Sequence, residues 1–262
     1  MPELIEVEMY RRDMDALVGE RVDSIRLLDR RAIRPKGTLR NVLTVLEGMT
    51  LTGTSRHGKL LIAEFEDAAG VSTLGLRFAM TGRLLVNGAS SIEQLEYSSA
   101  KNDPSWDRFE MVLGGSSVAL RDQRCLGSVE LDPSTVTLGP EASTVTAMQL
   151  SRSFEGRRKA LKAALLDQSI LAGLGNLLAD EVLWEAGLSP LTTIDELTPA
   201  HIGQLADQVR STVSELSNRG GSNTGRSFSA REAGASCPKC SGAMRRDRVG
   251  GRTAWWCLTH QL

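Results

Sequence analysis

Four potential metal ligands lie in the last 26 residues of the 262-residue chain. Cys237 and Cys240 form one pair with two residues between them, and 16 residues later Cys257 and His260 form a second pair with the same spacing. Three thiolates and one imidazole suit tetrahedral zinc, and two such pairs are typical of a structural zinc site. We therefore predict that these four residues bind one structural Zn²⁺ ion.

The segment between the two pairs has the pattern of a β-hairpin. Met244–Val249 and residues 252–256 flank Gly250-Gly251, and two glycines tolerate the positive φ angles of a tight turn. A segment this short cannot bury enough apolar surface to fold alone, so bound metal must supply much of its folding free energy. The sequence predicts a zinc-clipped hairpin with Arg252 at its tip.

Positive charge is concentrated around this hairpin. Between Arg219 and His260 there are eight Lys and Arg residues against two acidic residues, whereas the whole chain has a net charge of −1. Such a concentration is typical of a surface that binds a polyanion, nucleic acid first. A solvated polar face is the alternative interpretation of the charge alone.

The start of the chain carries a possible nucleophile. A small residue after Met1 normally allows Met1 to be removed, which would leave Pro2 with a free secondary amine. An α-amine has a pKa of roughly 8 against about 10.4 for lysine, so part of it is unprotonated at neutral pH. Glu3 and Glu6 lie on one face of a predicted helix that runs to about Val18. The alternative is that acids and proline simply favour the first turn of a helix.

The predicted secondary structure changes along the chain, from β-strands in the first half to helices in the second. Residues 22–132 contain short apolar runs separated by turn signals, which predict a β-sandwich or flattened barrel. The predicted strands cover residues 22–28, 60–65, 74–80, 83–86, 109–113 and 118–121, with one helix at 39–46. Residues 55–59 are predicted to form a turn that carries cationic side chains.

The second half of the chain has helical periodicity. The predicted helices cover residues 147–154, 157–167, 175–186 and 199–218. Asn176 would lie at the entry to the third of these, where backbone amides and a short polar side chain can bind phosphate. An ordinary helical hairpin capped by asparagine is the alternative.

These patterns predict an α+β multidomain protein. We expect an N-terminal β-sandwich domain with flanking helices at 1–132, a linker at 133–144, a helical domain at 145–221 and the zinc hairpin at 222–262.

Composition narrows the protein class. Three of the four cysteines are assigned to the metal, which favours a reducing compartment. The acidic start lacks the features of a signal peptide, and no apolar run approaches the length of a membrane span. We expect a cytoplasmic, nucleoid-associated protein that does not enter a membrane. A pI near 6.3 argues against a histone-like coat of charge, so any nucleic-acid surface must be local.

Taken together, the motifs resemble the formamidopyrimidine-DNA glycosylase and endonuclease VIII (Fpg/Nei) family of oxidised-base repair enzymes. The resemblance covers nearly the whole chain. Its motifs are Pro2 to Glu8, His57-Gly58-Lys59, Met80-Thr81-Gly82, Asp122-Gln123-Arg124, a helix-two-turn-helix over residues 165–181, and the zinc hairpin with Arg252. Six ordered matches are far more specific than any one of them.

The resemblance implies a bifunctional DNA glycosylase and AP lyase. The Pro2 amine would attack C1′ of a damaged nucleotide, release the base and form a Schiff base, after which β,δ-elimination would cut the strand. Glu3 would act as general acid and base and Glu6 would order the site, with Lys59 completing the catalytic group.

The same resemblance implies how duplex DNA with oxidised bases or abasic sites would be held. Lys59, Asn176 and Arg252 would bind phosphates flanking the lesion, and Lys162 would join them. Because the target nucleotide leaves the stack, a second set of side chains would fill the gap. That set is Met80, Arg124 and Leu126.

The sequence departs from the family pattern at four places. Ile5 replaces a proline, Cys125-Leu126 replaces Arg-Phe and removes an aromatic wedge, and His260 replaces a fourth cysteine. The 15 residues 222–236 replace a much longer segment that closes over the flipped base in the oxidised-purine enzymes. Preference for 8-oxoguanine is therefore open, with oxidised pyrimidines, formamidopyrimidines and abasic sites as alternatives.

Two other function classes remain open. A protein of this fold could bind damaged or single-stranded DNA without chemistry, which the short segment and missing wedge favour and intact Pro2, Glu3 and Lys59 oppose. A zinc ribbon that binds protein partners is a more distant alternative. The resemblance also implies a monomer.

Overall fold

The computed structural model describes residues 1–36, 40–92, 95, 99 and 101–261, which form two compact units. The first unit comprises Met1–Pro2 and Glu6–Thr135, and the second comprises Glu3–Ile5 and the chain from Val136 onward. Helix α1 (Leu4–Asp15) therefore begins in the second unit and continues in the first. Within the described residues, no helix is both long and apolar enough to span a membrane.

The first unit contains two β-sheets. Its described strands are β1 (Val22–Leu27), β2 (Ile33–Arg34), β3 (Thr50–His57), β4 (Leu60–Asp67), β5 (Gly70–Arg77), β6 (Arg83–Val86), β7 (Asp107–Leu113), β8 (Ser116–Arg121) and β9 (Ser128–Leu131). One sheet has the order β1-β7-β8-β6 and the other β2-β9-β5-β4-β3. Neighbouring strands are antiparallel except β2 and β9.

One core lies between the two sheets. Strand β7 alternates buried and half-buried residues, as expected for a strand with one face on a core. Its Phe109 packs in the same cluster as Phe65 of the other sheet. Tyr10 and Met14 of α1 complete the cluster and are 0% exposed. The predicted sandwich with a flanking helix is confirmed.

The second unit is helical and carries a β-hairpin. Its described helices are α2 (Ala147–Phe154), α3 (Leu161–Leu166), α4 (Asn176–Ala186) and α5 (Pro199–Asn218), and its strands are β10 (Met244–Val249) and β11 (Arg252–Cys257). A capping box formed by Thr146 and Gln149 begins α2, and Gly187 with φ 70° ends α4. The predicted helical domain and hairpin are confirmed as elements of the fold.

Several predicted boundaries are wrong, and hydrogen bonds explain the largest errors. Helix α3 begins at Leu161 because the preceding residues pair with a neighbouring segment, with Ile194 N donating to Lys159 O at 2.9 Å. Residues 55–57 are not a turn, because they complete strand β3 opposite β4. Helix α1 ends at Asp15, three residues before the predicted Val18, and Arg40–Leu46 is a 3₁₀ helix whose predicted first residue, Leu39, lies outside the described residues.

Most of the predicted linker packs into the second unit. Gly139 N donates to Gln168 O at 2.8 Å and Ala142 N donates to Ala172 O at 2.9 Å. Ala142 is also 0% exposed in the helical core. The division of the second unit into a separate helical domain and hairpin domain stays a prediction.

Candidate functional site

Pro2 lines a cavity of about 330 Å³ in the first unit. Lys59 and Leu126, two other predicted site residues, line the same cavity. Arg34 and Arg77 add two further cations that the sequence reasoning missed. The possible nucleophile thus lies in a concave site whose lining is cationic, which suits a phosphodiester substrate.

Glu3 is buried at the start of helix α4 in the second unit. Its carboxylate accepts hydrogen bonds from the backbone N–H groups of Gly175 at 2.6 Å, Leu177 at 2.8 Å and Leu178 at 3.2 Å. Three donors at a helix N-terminus stabilise the ionised carboxylate. A Cβ atom on Gly175 would lie 2.3 Å from Glu3 Cδ, so only glycine allows this approach. Glu6 is buried in α1 at 5% exposure.

The loop that carries Arg124 and Leu126 is organised by Asp122. Asp122 Oδ1 accepts from Arg124 N at 3.0 Å, and Oδ2 accepts from the N–H groups of Leu126 and Gly127, each at 2.7 Å. The Thr81 hydroxyl donates to Oδ1 as well, which ties the Met80 loop to the same carboxylate. Asp122 is 0% exposed, and its hydrogen bonds with Thr81 and Gly127 are fully buried, whereas those with Arg124 and Leu126 are partly buried.

The side chains predicted to fill the gap extend from these two loops. Arg124 and Leu126 are exposed and Met80 is half-buried. Ala79 and Cys125, which precede Met80 and Leu126, have φ angles of 49° and 50°. Non-glycine residues rarely adopt this left-handed conformation, and where they do the surrounding structure must hold them. The Asp122 hydrogen bonds supply such a restraint.

Lys162 is a buried residue of helix α3. Its side chain is 0% exposed, and Nζ lies 2.5 Å from Asp180 Oδ1. Nζ also donates to the carbonyl oxygen of Thr253. The ammonium is bound inside the protein by Asp180 and the Thr253 carbonyl, and the predicted contact between Lys162 and DNA stays a prediction.

Asn176 begins helix α4 as its first residue, and Gly175 is the N-cap. The backbone amides of residues 175, 177 and 178 are used by Glu3, so they do not form the predicted phosphate site. The half-buried Asn176 side chain is still available for that role. Arg252 begins β11 directly after Gly250 and Gly251, with an exposed side chain at the predicted hairpin tip.

The four predicted metal ligands lie together. Their ligand atoms are all within 4.8 Å of one another. Cys240 Sγ lies 3.4 Å from Cys257 Sγ and 3.6 Å from His260 Nδ1, and Cys237 Sγ lies 3.5 Å from His260 Nδ1. Ligands at about 2.0–2.3 Å from a tetrahedral Zn²⁺ are separated by about this much, so the donor set fits a metal ion.

Neighbouring groups orient these ligands. His260 Nε2 lies 3.0 Å from the carbonyl oxygen of Trp184, which fixes Nε2 as the protonated nitrogen and leaves Nδ1 to the metal. The Trp184 indole N–H donates to Cys237 Sγ at 3.2 Å. The Lys239 and Gly242 N–H groups each point to a thiol sulfur at 3.4 Å. Such partners stabilise thiolates, as a structural metal site requires.

Comparison with known proteins assigns this architecture. The family model for the formamidopyrimidine-DNA glycosylase N-terminal domain matches residues 1–129, and the model for the H2TH domain of the same enzymes matches residues 136–227. The chain is 31% identical to formamidopyrimidine-DNA glycosylase of Parasynechococcus marenigrum over 100% of both chains. It is 33% identical to that of Paracoccus denitrificans over 98% of both.

The chain belongs to the formamidopyrimidine-DNA glycosylase family. It is therefore a DNA glycosylase related to enzymes that repair oxidised bases by base excision. Its fold is also similar to solved family members bound to DNA. A complex of Lactococcus lactis Fpg with DNA containing an abasic site has a TM-score of 0.81 and 27% identity over 100% of both chains. A complex of that enzyme with DNA containing an oxidised pyrimidine has a TM-score of 0.80.

Within the glycosylase, two acidic residues of α4 hold the short segment 222–236. Glu181 accepts from Arg226 N at 2.6 Å and from the Ser227 hydroxyl at 2.5 Å, and Asp180 pairs with Arg231 at 3.3 Å. Sequence reasoning missed these contacts, and the signal that could have found them is two adjacent carboxylates in the middle of a largely apolar helix.

Proposed function

We propose that this glycosylase is bifunctional, with an AP lyase activity that uses the Pro2 amine. The observation that carries the proposal is the position of Pro2 in a cavity lined by Lys59, Arg34 and Arg77. A damaged nucleotide brings an electrophilic C1′ and two flanking phosphates, and the cavity offers an amine and cations for them. Removal of Met1 is needed to free the amine.

The chemistry follows from a secondary amine. The amine attacks C1′, and the base leaves with the electrons of the C1′–base bond and takes a proton. The C1′–O4′ bond of the sugar then breaks, O4′ takes the proton that the amine loses, and an open-chain iminium ion forms. The iminium acidifies the C2′ proton, and loss of that proton expels the 3′ phosphate in β-elimination. A second elimination then expels the 5′ phosphate, and water hydrolyses the iminium to return the amine.

Glu3 is the residue we assign to proton transfer at the deoxyribose. Its carboxylate accepts hydrogen bonds from three backbone N–H groups, and a fixed position supports a role in proton transfer. It follows Pro2 directly in the chain, so the attacking amine and the base are linked by one peptide. Glu6 is assigned to ordering this segment.

In this proposal, each unit contributes its own residues that contact lesion DNA. Lys59 binds phosphate from the first unit, and Asn176 and Arg252 bind phosphate from the second. Arg124 and Leu126 enter the gap left by the flipped nucleotide, together with Met80. The exposure of Arg124 and Leu126 on a loop held by Asp122 supports this role.

We propose Zn²⁺ as the metal of the four-ligand site. Three thiolates and an imidazole select zinc among the common divalent ions, and a closed set of four protein ligands is typical of a structural ion. The cation would hold the hairpin termini together. Duplex DNA with a damaged base or abasic site is the proposed partner, with the protein acting as a cytoplasmic monomer.

The anchored segment 222–236 bears on which base is removed. Contacts with Asp180 and Glu181 hold Arg226, Ser227 and Arg231 in place. A segment held at three points offers little length to close over a purine. Oxidised pyrimidines, formamidopyrimidines and abasic sites are therefore the substrates to test beside 8-oxoguanine.

Borohydride trapping tests the proposal directly. The protein is incubated with borohydride and a duplex carrying one abasic site, and the expected result is a covalent adduct on the peptide that begins with Pro2. An extra residue placed ahead of Pro2 displaces the amine and should abolish the adduct, whereas Lys59→Ala should retain it. Intact binding without any adduct would make a non-catalytic damage-binding protein the better description.

A further inference from the structure

A buried ion pair lies between the helices and the hairpin of the second unit. Lys162 of α3 and Asp180 of α4 have side-chain exposures of 0% and 2%, and their charged atoms are 2.5 Å apart. Burial lowers the pKa of Lys162 and raises the pKa of Asp180, since each loses the hydration of its charge. A buried pair is stable only when its remaining hydrogen-bonding capacity is also satisfied.

That remaining capacity is satisfied largely by the hairpin backbone. Lys162 Nζ donates to the carbonyl oxygen of Thr253, and Asp180 Oδ2 accepts from Trp255 N at 3.3 Å. Arg231 Nη2 lies 3.3 Å from the same carboxylate oxygen. Thr253 and Trp255, which are two positions apart in β11, are therefore both hydrogen-bonded to the buried ion pair.

The hairpin turn also packs closely against helix α3. A Cβ atom on Gly250 would lie 2.8 Å from the Cβ of Ala163, the residue that follows Lys162. Gly250 also has a φ of 56°, which glycine adopts without strain. Arg252 lies between this contact and Thr253, so its backbone is restrained on both sides while its side chain stays exposed.

We propose that Lys162 and Asp180 are positioning residues for Arg252. The pair fixes the β11 backbone next to Arg252 and so directs its guanidinium to a DNA phosphate that the pair itself never contacts. The inference rests on the proposed function, in which Arg252 binds a phosphate flanking the lesion. When the Arg252 backbone is already held in place in the free protein, less conformational entropy is lost on binding DNA.

A double-mutant cycle tests this role. Lys162→Met, Arg252→Ala and the double variant are compared for affinity to a duplex with one reduced, uncleavable abasic site at several salt concentrations. Loss of a charge-assisted contact should weaken binding by about tenfold. Each single variant should show this loss and a salt slope smaller by about one, as expected when one phosphate contact is lost. The double variant should be no weaker than Arg252→Ala.

Lys159→Met is the matched control. The charged atoms of Lys159 and Asp167 are also 2.5 Å apart, but their side chains are 41% and 26% exposed. Among the described residues, neither side chain forms a hydrogen bond with the hairpin. Its removal should leave the effect of Arg252→Ala unchanged. Asp180→Asn, which keeps the side-chain shape, serves as a second variant if Lys162→Met fails to fold.

Three results would overturn the inference. The first is that Lys162→Met lowers the affinity for DNA equally in the wild type and in Arg252→Ala. The second is an unchanged salt slope in folded Lys162→Met, and the third is that folded Lys162→Met loses no affinity. If Arg252→Ala alone has no effect, the phosphate role of Arg252 and the positioning role fail together. Borohydride trapping at Pro2 is measured separately, so that result would leave the proposed chemistry standing.

Discussion

Glu3 and Gly175 are 172 positions apart in the chain, and Glu3 Oε2 accepts a hydrogen bond from Gly175 N at 2.6 Å. The contact places a carboxylate from the start of the chain at the positive end of helix α4. It requires that residue 175 have no side chain, because a Cβ atom would meet the Glu3 carboxyl carbon at 2.3 Å.

Gly175→Ala should therefore disable the proposed base without removing it. The methyl group must displace Glu3, and overpacking of this kind costs about 1–3 kcal/mol of stability. A misplaced catalytic group can lower the rate by about 100-fold, so single-turnover cleavage of an abasic duplex is the measurement. Gly203→Ala is the control, since nothing lies within 4 Å of its added Cβ atom. Equal activity of the two variants would contradict the role of the Glu3 contact.

Asp122→Asn should loosen the loops that carry Met80, Arg124 and Leu126. The amide nitrogen of asparagine cannot accept from the Leu126 and Gly127 N–H groups, and an unsatisfied buried donor costs about 1–3 kcal/mol. We expect a lower melting temperature and a weaker fluorescence response of a base analogue placed opposite the lesion. Asp67→Asn is the control.

The control is matched because Asp67 also accepts two backbone N–H groups, from Ala69 and Gly70, but in an exposed turn where water can replace them. If Asp67→Asn and Asp122→Asn alter the opposite-base signal equally, Asp122 does not control the gap-filling side chains.

Metal removal should release the hairpin and abolish DNA binding while the sandwich stays folded. Trp184 reports the change, because its indole donates to Cys237 Sγ and its ring lies 5.7 Å from the His260 ring. Chelation should shift Trp fluorescence, and added Zn²⁺ should restore both signals. His260→Cys should keep about one zinc per chain, whereas Cys257→Ser should lose it. Unchanged binding after verified metal loss would exclude the hairpin from the DNA surface.

Asp167 should contribute stability that is lost in acid. The Lys159 ammonium and the Ser169 hydroxyl and N–H hold the pKa of Asp167 at about 2, below its ordinary 3.8. A lowered pKa means that the contribution is fully present above about pH 4 and disappears as the pH falls through 2. Because the pair is partly exposed, we expect at most about 1 kcal/mol.

Thermal unfolding of the wild type and Asp167→Asn measures this contribution. The difference in melting temperature should be constant near neutral pH and shrink between pH 4 and pH 2. A difference that grows on acidification would mean that Asp167 is not the titrating group.

The sequence predicted features whose residues are close in the chain. The metal site follows from two pairs with two intervening residues, and the hairpin follows from Gly250-Gly251 between alternating strands. Strand β3 was missed because Thr, Ser and Gly interrupt its apolar alternation. Its role as a strand depends on pairing with β4, which local pattern cannot show.

Contacts between distant residues could not be predicted. The family resemblance implied that Lys162 binds DNA phosphate, and nothing in the sequence indicated that its side chain is buried. Its burial depends on Asp180 in the next helix and on the Thr253 carbonyl in the hairpin, which no spacing rule relates. The Glu3 contact with α4 likewise became visible only when the fold brought the two segments together.

The membership of Leu4 and Ile5 in the core of the second unit bears on the order of folding. Both side chains are 2% exposed and share a cluster with residues of α3, α4 and α5. During synthesis they leave the ribosome before residue 136 has been translated, so this core cannot be completed until most of the chain exists. The sheets can form earlier, whereas residues 3–5 reach their final environment only after the second unit has been synthesised. An incomplete chain would therefore leave Glu3, the base in our proposal, without the three backbone N–H groups that hold its carboxylate.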